Sequence, residues 1–464
     1  MQRYSEFIIA LRQLLTSDRL SEENDVLEDY SHDWTEDLQF MPAVVVFPVS
    51  TSEVSEILKL CHQYAIPVTP AGARTGLSGG ALPVNGGLVL ATSRMQQILE
   101  IDTQNLQCTV QPGVITEVLQ KAVEAKGLYY PPDPSSKGSC FIGGNLAESA
   151  GGIRAVKYGL TRDYVLSLTA VLMDGSIIHT GARVLKNATG YNLTQLLIGS
   201  EGTLAVITEA VLKLVPAPKA RMVLMISFDD WFQACHAVSA IFRAGITPSA
   251  LEFMERDAVL FGMQYLGIHK PLPPQVQAQL LVEVDGQHPE VLMTECETIA
   301  MVAESFGATD ILVAQTAQEQ DEIFRIRRCL GVAVKGTTIY KEEDTVVPRA
   351  ALASLLSMVK ATGTKYGFTS ICYGHAGDGN LHINIIRSEG MSDAYWHDTL
   401  PLAIREIFEY TVSLGGTLSG EHGIGWVQKA YFDIAIQETE IRLMQDIKKV
   451  FDPKGLLNPG KIWK

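Results

Sequence analysis

Apolar positions recur along the chain in two rhythms. Near its start Phe7, Ile8, Leu11, Leu14 and Leu15 keep helical spacing and are interrupted by Glu6 and Arg12, which predicts an amphipathic packing helix and not a secretory signal. PAVVVFPVS (42–50) is a β-branched run bounded by prolines. TSEVSEILKLCHQYA then sets Val54, Ile57, Leu58 and Cys61 on one helical face, and IPVTPAG reads as a second short strand. A strand–helix–strand unit is expected there. Leu88–Ala91, Cys108–Gln111 and TEVLQKAVEAKG, with Thr116 as N-cap and Gly127 just past the end, continue the alternation. From about residue 164 to 215 strands dominate: YVLSLTAVLMDGSIIHTG reads as a hairpin closed by Asp174 and Gly175, and GTLAVITEAVLKLVP as a longer strand.

VPAPKA (215–220) interrupts this pattern with two prolines and marks the boundary. Beyond it MVLMISF, DDWFQACHAVSAIFRAG, LLVEVDG (280–286) and PEVLMTECETIAMVAESFG resume the strand and helix rhythm, and ICYGHAGDGNLHINII (371–386) reads as strand, glycine loop, strand. At about 150 residues per domain, 464 residues allow two or three domains. A net charge of −15 with no basic tract argues against a nucleic-acid partner. Seven cysteines occur singly, with no C-x-x-C, so neither an iron–sulfur framework nor a disulfide scaffold is indicated, and a reducing compartment is expected. No apolar run reaches the roughly 18 residues of a membrane span, so the chain reads as cytoplasmic, with peripheral attachment to the inner membrane left open.

Glycine carries the first chemical signal. In PAGARTGLSGGALP (70–83), Gly72, Gly76, Gly79 and Gly80 sit with Thr75 and Ser78 directly after a strand, where backbone N–H groups can converge on an anion. The loop is neither a Walker A nor a G-x-G-x-x-G motif. PPDPSSKGSCFIGGNLAESAGGIRAVKYG (131–159) and KNATGYNLTQLLIGSEGTLAVIT (186–208) share its style. That much glycine-lined surface suits a long ligand with a pyrophosphate and a flat heterocycle. The second signal is a pair of histidines, His375 and His382, flanking G-D-G-N, together with Glu421 and His422 in G-E-H-G-I-G. Two imidazoles and a carboxylate are a familiar set for a divalent ion. On a regular strand an odd spacing of seven would put the histidines on opposite faces, so the glycine loop has to redirect the chain.

Taken in order, P-A-G-A-R-T-G-L-S-G-G, I-G-G-N-L-A-E-S-A-G-G-I-R, K-N-A-T-G-Y-N-L-T-Q-L-L-I-G-S-E-G-T-L, G-H-A-G-D-G-N-L-H, G-E-H-G-I-G and N-P-G-K-I resemble the FAD-dependent oxidoreductases of the vanillyl-alcohol oxidase and p-cresol methylhydroxylase superfamily. The closer resemblance is to the D-2-hydroxyacid dehydrogenases, which include D-lactate and D-2-hydroxyglutarate dehydrogenases and the glycolate oxidase flavin subunit. The resemblance implies an α+β fold: an FAD-binding PCMH-type domain of two α/β subdomains (1–217), a ferredoxin-like C-terminal cap (218–450), and an ordered last segment returning to the flavin (451–464). It carries FAD contacts to Gly72, Arg74, Thr75, Gly76, Leu77, Ser78 and Gly79 in the first loop, and to Pro134, Gly138, Ser139, Gly143, Gly144, Asn145, Ala147, Gly151, Gly152 and Tyr158 in the second stretch. Glu201, Gly202, Ile207 and Asn458 complete the set. Some relatives tether the flavin through a His in the first loop; none is present here, so FAD is expected to be non-covalent.

The resemblance also implies that His375, His382 and Glu421 ligate a metal, zinc first among the candidates, that His422 is the catalytic base, and that Asn384 lies near the substrate. For the substrate carboxylate it points to Arg327 or Arg328 and to Lys341, although Y-K-E-E-D here departs from the usual Y-K-x-D and can offset Lys341 by one position. The activity implied is oxidation of a D-2-hydroxy acid, with electrons leaving to a quinone, an electron-transfer flavoprotein or a partner subunit. A homodimer is compatible with the sequence. Alternatives are a glycolate-oxidising flavin subunit, a zinc hydrolase without flavin chemistry, and a catalytically silent binding protein.

Overall fold

The computed structural model describes residues 2–35, 38–269, 271–314 and 316–464; Met1 of the expected opening helix lies outside them. The chain divides into two units. The first is built from three stretches, up to Gly151, Leu160–Ala217 and Glu421–Lys464; the second takes Gly152–Gly159 and Pro218–Gly420. Thus the first domain is not continuous to 217, and the return to it begins at Glu421, ahead of 451. The Gly152–Gly159 excursion is possible because Gly152 (φ 121°) and Gly159 (φ 86°) turn the chain at its two ends. Within the second unit it is fastened by Arg154 to Glu283 and by Lys157 Nζ, 2.6 Å from Asp285 Oδ1.

In the first unit β1 (Leu20–Ser21), β2 (Val44–Val46), β3 (Val68–Ala71) and β4 (Leu88–Ala91) form a sheet in the order β1-β2-β4-β3, with β2 and β3 both parallel to β4. The helix Thr51–Tyr64 joins β2 to β3, starting where the Ser50 hydroxyl accepts the Glu53 N–H. Its Val54, Ile57, Leu58 and Cys61 are fully buried in one core with Phe7 and Leu11 of the helix Gln2–Leu14. A second sheet, all antiparallel, comprises β5 (Ile98–Asp102), β6 (Gln107–Val110), β8 (Val165–Val171), β9 (Ile177–Gly181) and β10 (Val206–Lys213) in the order β5-β6-β10-β8-β9. β7 (Leu128–Tyr129) and β11 (Val215–Pro216) make a separate pair. Thr116 is not the cap of its helix but its first residue: buried, its hydroxyl accepts the Asn145 amide at 2.7 Å.

The second unit is one seven-stranded antiparallel sheet: β12 (Ala220–Phe228), β13 (Ala250–Glu255), β14 (Ala278–Gly286), β15 (Ala308–Ala314), β16 (Tyr340–Val346), β17 (Thr369–Gly374) and β18 (Asn380–Ile386), ordered β15-β12-β14-β13-β17-β18-β16. The helices Arg256–Tyr265 and Ala317–Thr337 cover one face, packing Val259, Phe324 and Leu330 on Met225, Met254 and Leu281. Among the described residues no helix is long and apolar enough to cross a membrane.

Candidate flavin and substrate sites

The first unit gathers three glycine-rich stretches and the last segment. None of the N–H groups of Arg74–Gly79 donates to a protein acceptor among the described residues. Gly76 and Gly144 have open space where a side chain would project, and a Cβ on Gly72 would lie 3.7 Å from Gly144 N. Unused donors on a loop with no side chain in the way fit a pyrophosphate. The loop is held from behind: Ser78 O accepts the N–H groups of Trp426 (2.8 Å) and Val427 (3.0 Å), an approach that only a glycine at 425 permits.

Glu201 and Asn458 tie these stretches together. The Glu201 carboxylate accepts from Ile424 N (2.9 Å) and Gly425 N (2.6 Å), its own N–H reaches Ala147 O, and Asn458 Nδ2 donates to both Gly80 O and Glu201 O. Gly202 takes a positive φ of 66°, with an added Cβ falling 3.4 Å from Pro70, and Ile207 lies on β10. Lys461 Nζ donates to Leu82 O; burial pulls its pKa down to about 8. Burial, with Glu201 adding its charge, pushes the Glu148 carboxyl well above the usual carboxylate range.

The remaining residues of the first loop and second stretch scatter more. Arg74 is ion-paired with Asp29 at 2.8 Å and stacked on Tyr30, so its charge is already engaged. Thr75 and Leu77 are half-buried. Pro134, Gly138 and Ser139 belong to one turn, where Pro134 O accepts Lys137 N and Ser139 Oγ donates to Ser136 O. Gly143 packs on Pro112, Asn145 turns inward to Thr116, and Gly151 lies beneath Glu421, whose Oε2 would be 3.1 Å from an added Cβ. Gly152 and Tyr158 fall in the second unit, where Tyr158 Oη donates to Asp285.

The second unit holds the histidines on one sheet face. His382 in β18 stands opposite Asp344 in β16 and Tyr373 in β17, and Asn384 opposite Glu342 and Ile371; directly opposed residues share a face. β17 ends at Gly374, and the turn Ala376–Asp378 closes at Gly379 (φ 79°), bringing the rings of His375 and His382 to 5.4 Å between centroids. The redirected chain overcomes the odd spacing.

Glu252 of β13, which the motifs did not single out, organises this face. It is fully buried, with Oε1 2.8 Å from His375 Nδ1 and Oε2 2.7 Å from Arg327 Nη2. Burial works to raise its pKa, but the neighbouring His375 and the Arg327 guanidinium outweigh it and hold the carboxyl below its ordinary value. Arg327 is 3% exposed and lies over the Tyr373 ring. With its Nδ1–H directed at Glu252, His375 would ligate an ion through Nε2, and two such imidazoles beside a carboxylate are residue types that fit a borderline divalent ion. The signal that would have found Glu252 is an acid inside ALEFME, a strand buried at every position.

His382 Nδ1 is 3.5 Å from Glu342 Oε1. Asp344 Oδ2 accepts from Ser419 Oγ and Gly420 N, anchoring the chain one residue before Glu421 and two before His422, which open the last stretch of the first unit. Arg328 is not brought to this face but stacks on Phe324, and Lys341, opposite Ile385, falls on the other side of the sheet from His382 and Asn384. Asn384 is fully buried and donates to Ile371 O.

A model of the C-terminal domain of FAD linked oxidases matches residues 217–462, and an FAD binding domain model matches residues 42–181. The chain belongs to the FAD-linked oxidases. This FAD-linked oxidase is 42% identical over 437 residues to the glycolate oxidase subunit GlcD of Bacillus subtilis, covering 94% of this chain and 92% of that one. It is 39% identical over 462 residues to a D-lactate dehydrogenase of Anaerostipes hadrus, covering 98% and 95%. The solved structure of p-cresol methylhydroxylase with substrate bound superposes with a TM-score of 0.81 at 16% identity, covering 100% of this chain and 97% of that one, and shares the fold. The protein is an FAD-dependent oxidoreductase of α+β architecture, which sets aside the hydrolase reading.

Proposed function

We propose that this oxidoreductase converts a D-2-hydroxy acid of the D-lactate or D-2-hydroxyglutarate class to the 2-oxo acid, using non-covalent FAD and a divalent metal held by His375, His382 and Glu421. The observation that carries the reading is Arg327: a buried guanidinium, ion-paired on one side with Glu252, whose Nε and Nη2 donors have no hydrogen-bond acceptor among the described residues. A buried donor left over on a planar cation calls for an anion brought by the ligand, and a carboxylate matches its fork. The names of the relatives, D-lactate dehydrogenase and D-2-hydroxyglutarate dehydrogenase among them, support the substrate class.

Oxidation breaks the C2–H bond with its electron pair and removes the hydroxyl proton, leaving C=O. FAD supplies the two-electron acceptor and the metal a Lewis acid that acidifies the hydroxyl. Arg327 and Asn384 orient the acid, and an imidazole nitrogen of His422 receives the hydroxyl proton. Arg328 and Lys341 have no part in this reading. The electrons then pass to a quinone, an electron-transfer flavoprotein or a partner subunit. A second reading, glycolate oxidation within a larger assembly, is favoured by the GlcD relative's description as a subunit.

The test is the anaerobic visible spectrum of the FAD-loaded protein with D-lactate, D-2-hydroxyglutarate, D-malate and glycolate, repeated after EDTA. Bleaching by a D-acid that EDTA abolishes and added metal restores is expected, and His422→Ala should keep FAD yet slow the bleaching by about 100-fold or more. Bleaching by glycolate alone would favour the second reading; a flavin that stays oxidised with all four would overturn the substrate class.

A further inference from the structure

We propose that Glu252 is a positioning residue serving two ligands at once, its one carboxylate holding His375 for the metal and Arg327 for the substrate carboxylate. The inference rests on the metal and substrate reading above. Its own observations are local. Glu252 lies mid-strand in β13, fully buried, on the sheet face of Met254. Oε1 is 2.8 Å and Oε2 2.9 Å from His375 Nδ1, while Oε2 is 2.7 Å from Arg327 Nη2. Tyr373, beneath the Arg327 guanidinium with 4.9 Å from Cζ to its centroid, fixes the cation from the other side.

His375 Nδ1 is within hydrogen-bond distance of the Glu252 carboxylate and the Arg327 guanidinium is ion-paired with it, so a single carboxylate serves both whereas an amide cannot: a Gln at 252 carries no charge for Arg327 and must aim its NH2 at one of them. The negative charge also strengthens His375 as a ligand and makes a buried guanidinium tolerable. A hydroxy acid presents its carboxylate and hydroxyl on adjacent carbons. The cation and the metal ligand must therefore keep a constant spacing, and one shared carboxylate enforces it.

The experiment compares the FAD-loaded wild type with Glu252→Gln, Glu252→Asp and Arg327→Met. Metal affinity is read with Zn²⁺ or Mn²⁺ alone against a coloured chelator, and KM and kcat are then taken at saturating metal. Glu252→Gln should weaken metal binding about 10–100-fold and raise KM about tenfold or more. Arg327→Met should raise KM while leaving metal affinity within about threefold, a split that general loosening of the core would not produce. Glu252→Asp keeps the charge on a shorter arm and should fall between wild type and Gln; it also serves if the Gln variant does not fold. Wild-type metal affinity and KM in either Glu252 variant would overturn the shared role, and so would an Arg327→Met variant that loses metal as severely as Glu252→Gln. A wild type that binds no metal would overturn the underlying metal reading instead.

Discussion

Arg327 and Arg328 are the same residue type in consecutive positions of one helix, and their fates differ because a helix rotates about 100° per residue. Arg327 turns into the sheet and meets Glu252; Arg328 stays half-buried against Phe324. The motif narrowed the choice to this pair, and only burial separates them. Lys341 and Glu342 repeat the lesson in a strand, where one residue reverses the face and brings the acid to His382. Asn458 is the opposite case: the family resemblance, not its local pattern, predicts that this residue of a polar tail is ordered, and it is 2% exposed and bridges Gly80 O and Glu201 O. Losing two buried amide hydrogen bonds costs about 1–3 kcal/mol in all. Asn458→Ala should therefore lower the melting temperature and weaken FAD retention on dilution, followed by flavin fluorescence; unchanged retention would remove Asn458 from the cofactor framework.

The elements that carry the site are strands joined by glycine turns. The β-branched runs of ICYGHAGDGNLHINII made β17 and β18 legible, and Asp174 with Gly175 made the β8–β9 hairpin legible. Which way the loop between β17 and β18 turns was not. It depends on Gly379, whose positive φ any side chain would resist and where an added Cβ would collide with Val347 O on a neighbouring segment. Gly379→Ala should destabilise the protein by about 2 kcal/mol or more and displace His375, seen as a lower urea midpoint and a weaker Mn²⁺ affinity. A variant with both unchanged would show that the turn tolerates another path.

At the scale of the molecule, the free thiols report how closely the cores are packed. Burial pushes Cys108, Cys235 and Cys372 up to about 12, and Cys296 to about 11, from an ordinary 9.0. In the unfolded chain these thiols ionise near 9 while the folded ones keep their protons, so above that pH the unfolded state binds fewer protons. Stability is then fully present below about pH 9 and is lost as pH rises towards 12. The urea midpoint should fall over this range, with thiol reagents reacting slowly below it. A flat profile, or fast labelling at neutral pH, would contradict the burial of these cysteines.

By itself the sequence determined the α/β rhythm of the first half and the family, because hydrophobic periodicity and the order of glycine motifs are local properties. Tertiary structure alone decided that Glu252 is the hub, that Arg327 and not Arg328 reaches it, that Lys341 turns away, and that Gly152–Gly159 and Glu421–Lys464 change units. Those outcomes depend on strand register and on contacts between distant segments. An acid in a buried strand announces that it needs partners; which partners it finds is settled only when β13, β17 and the Ala317–Thr337 helix pack together.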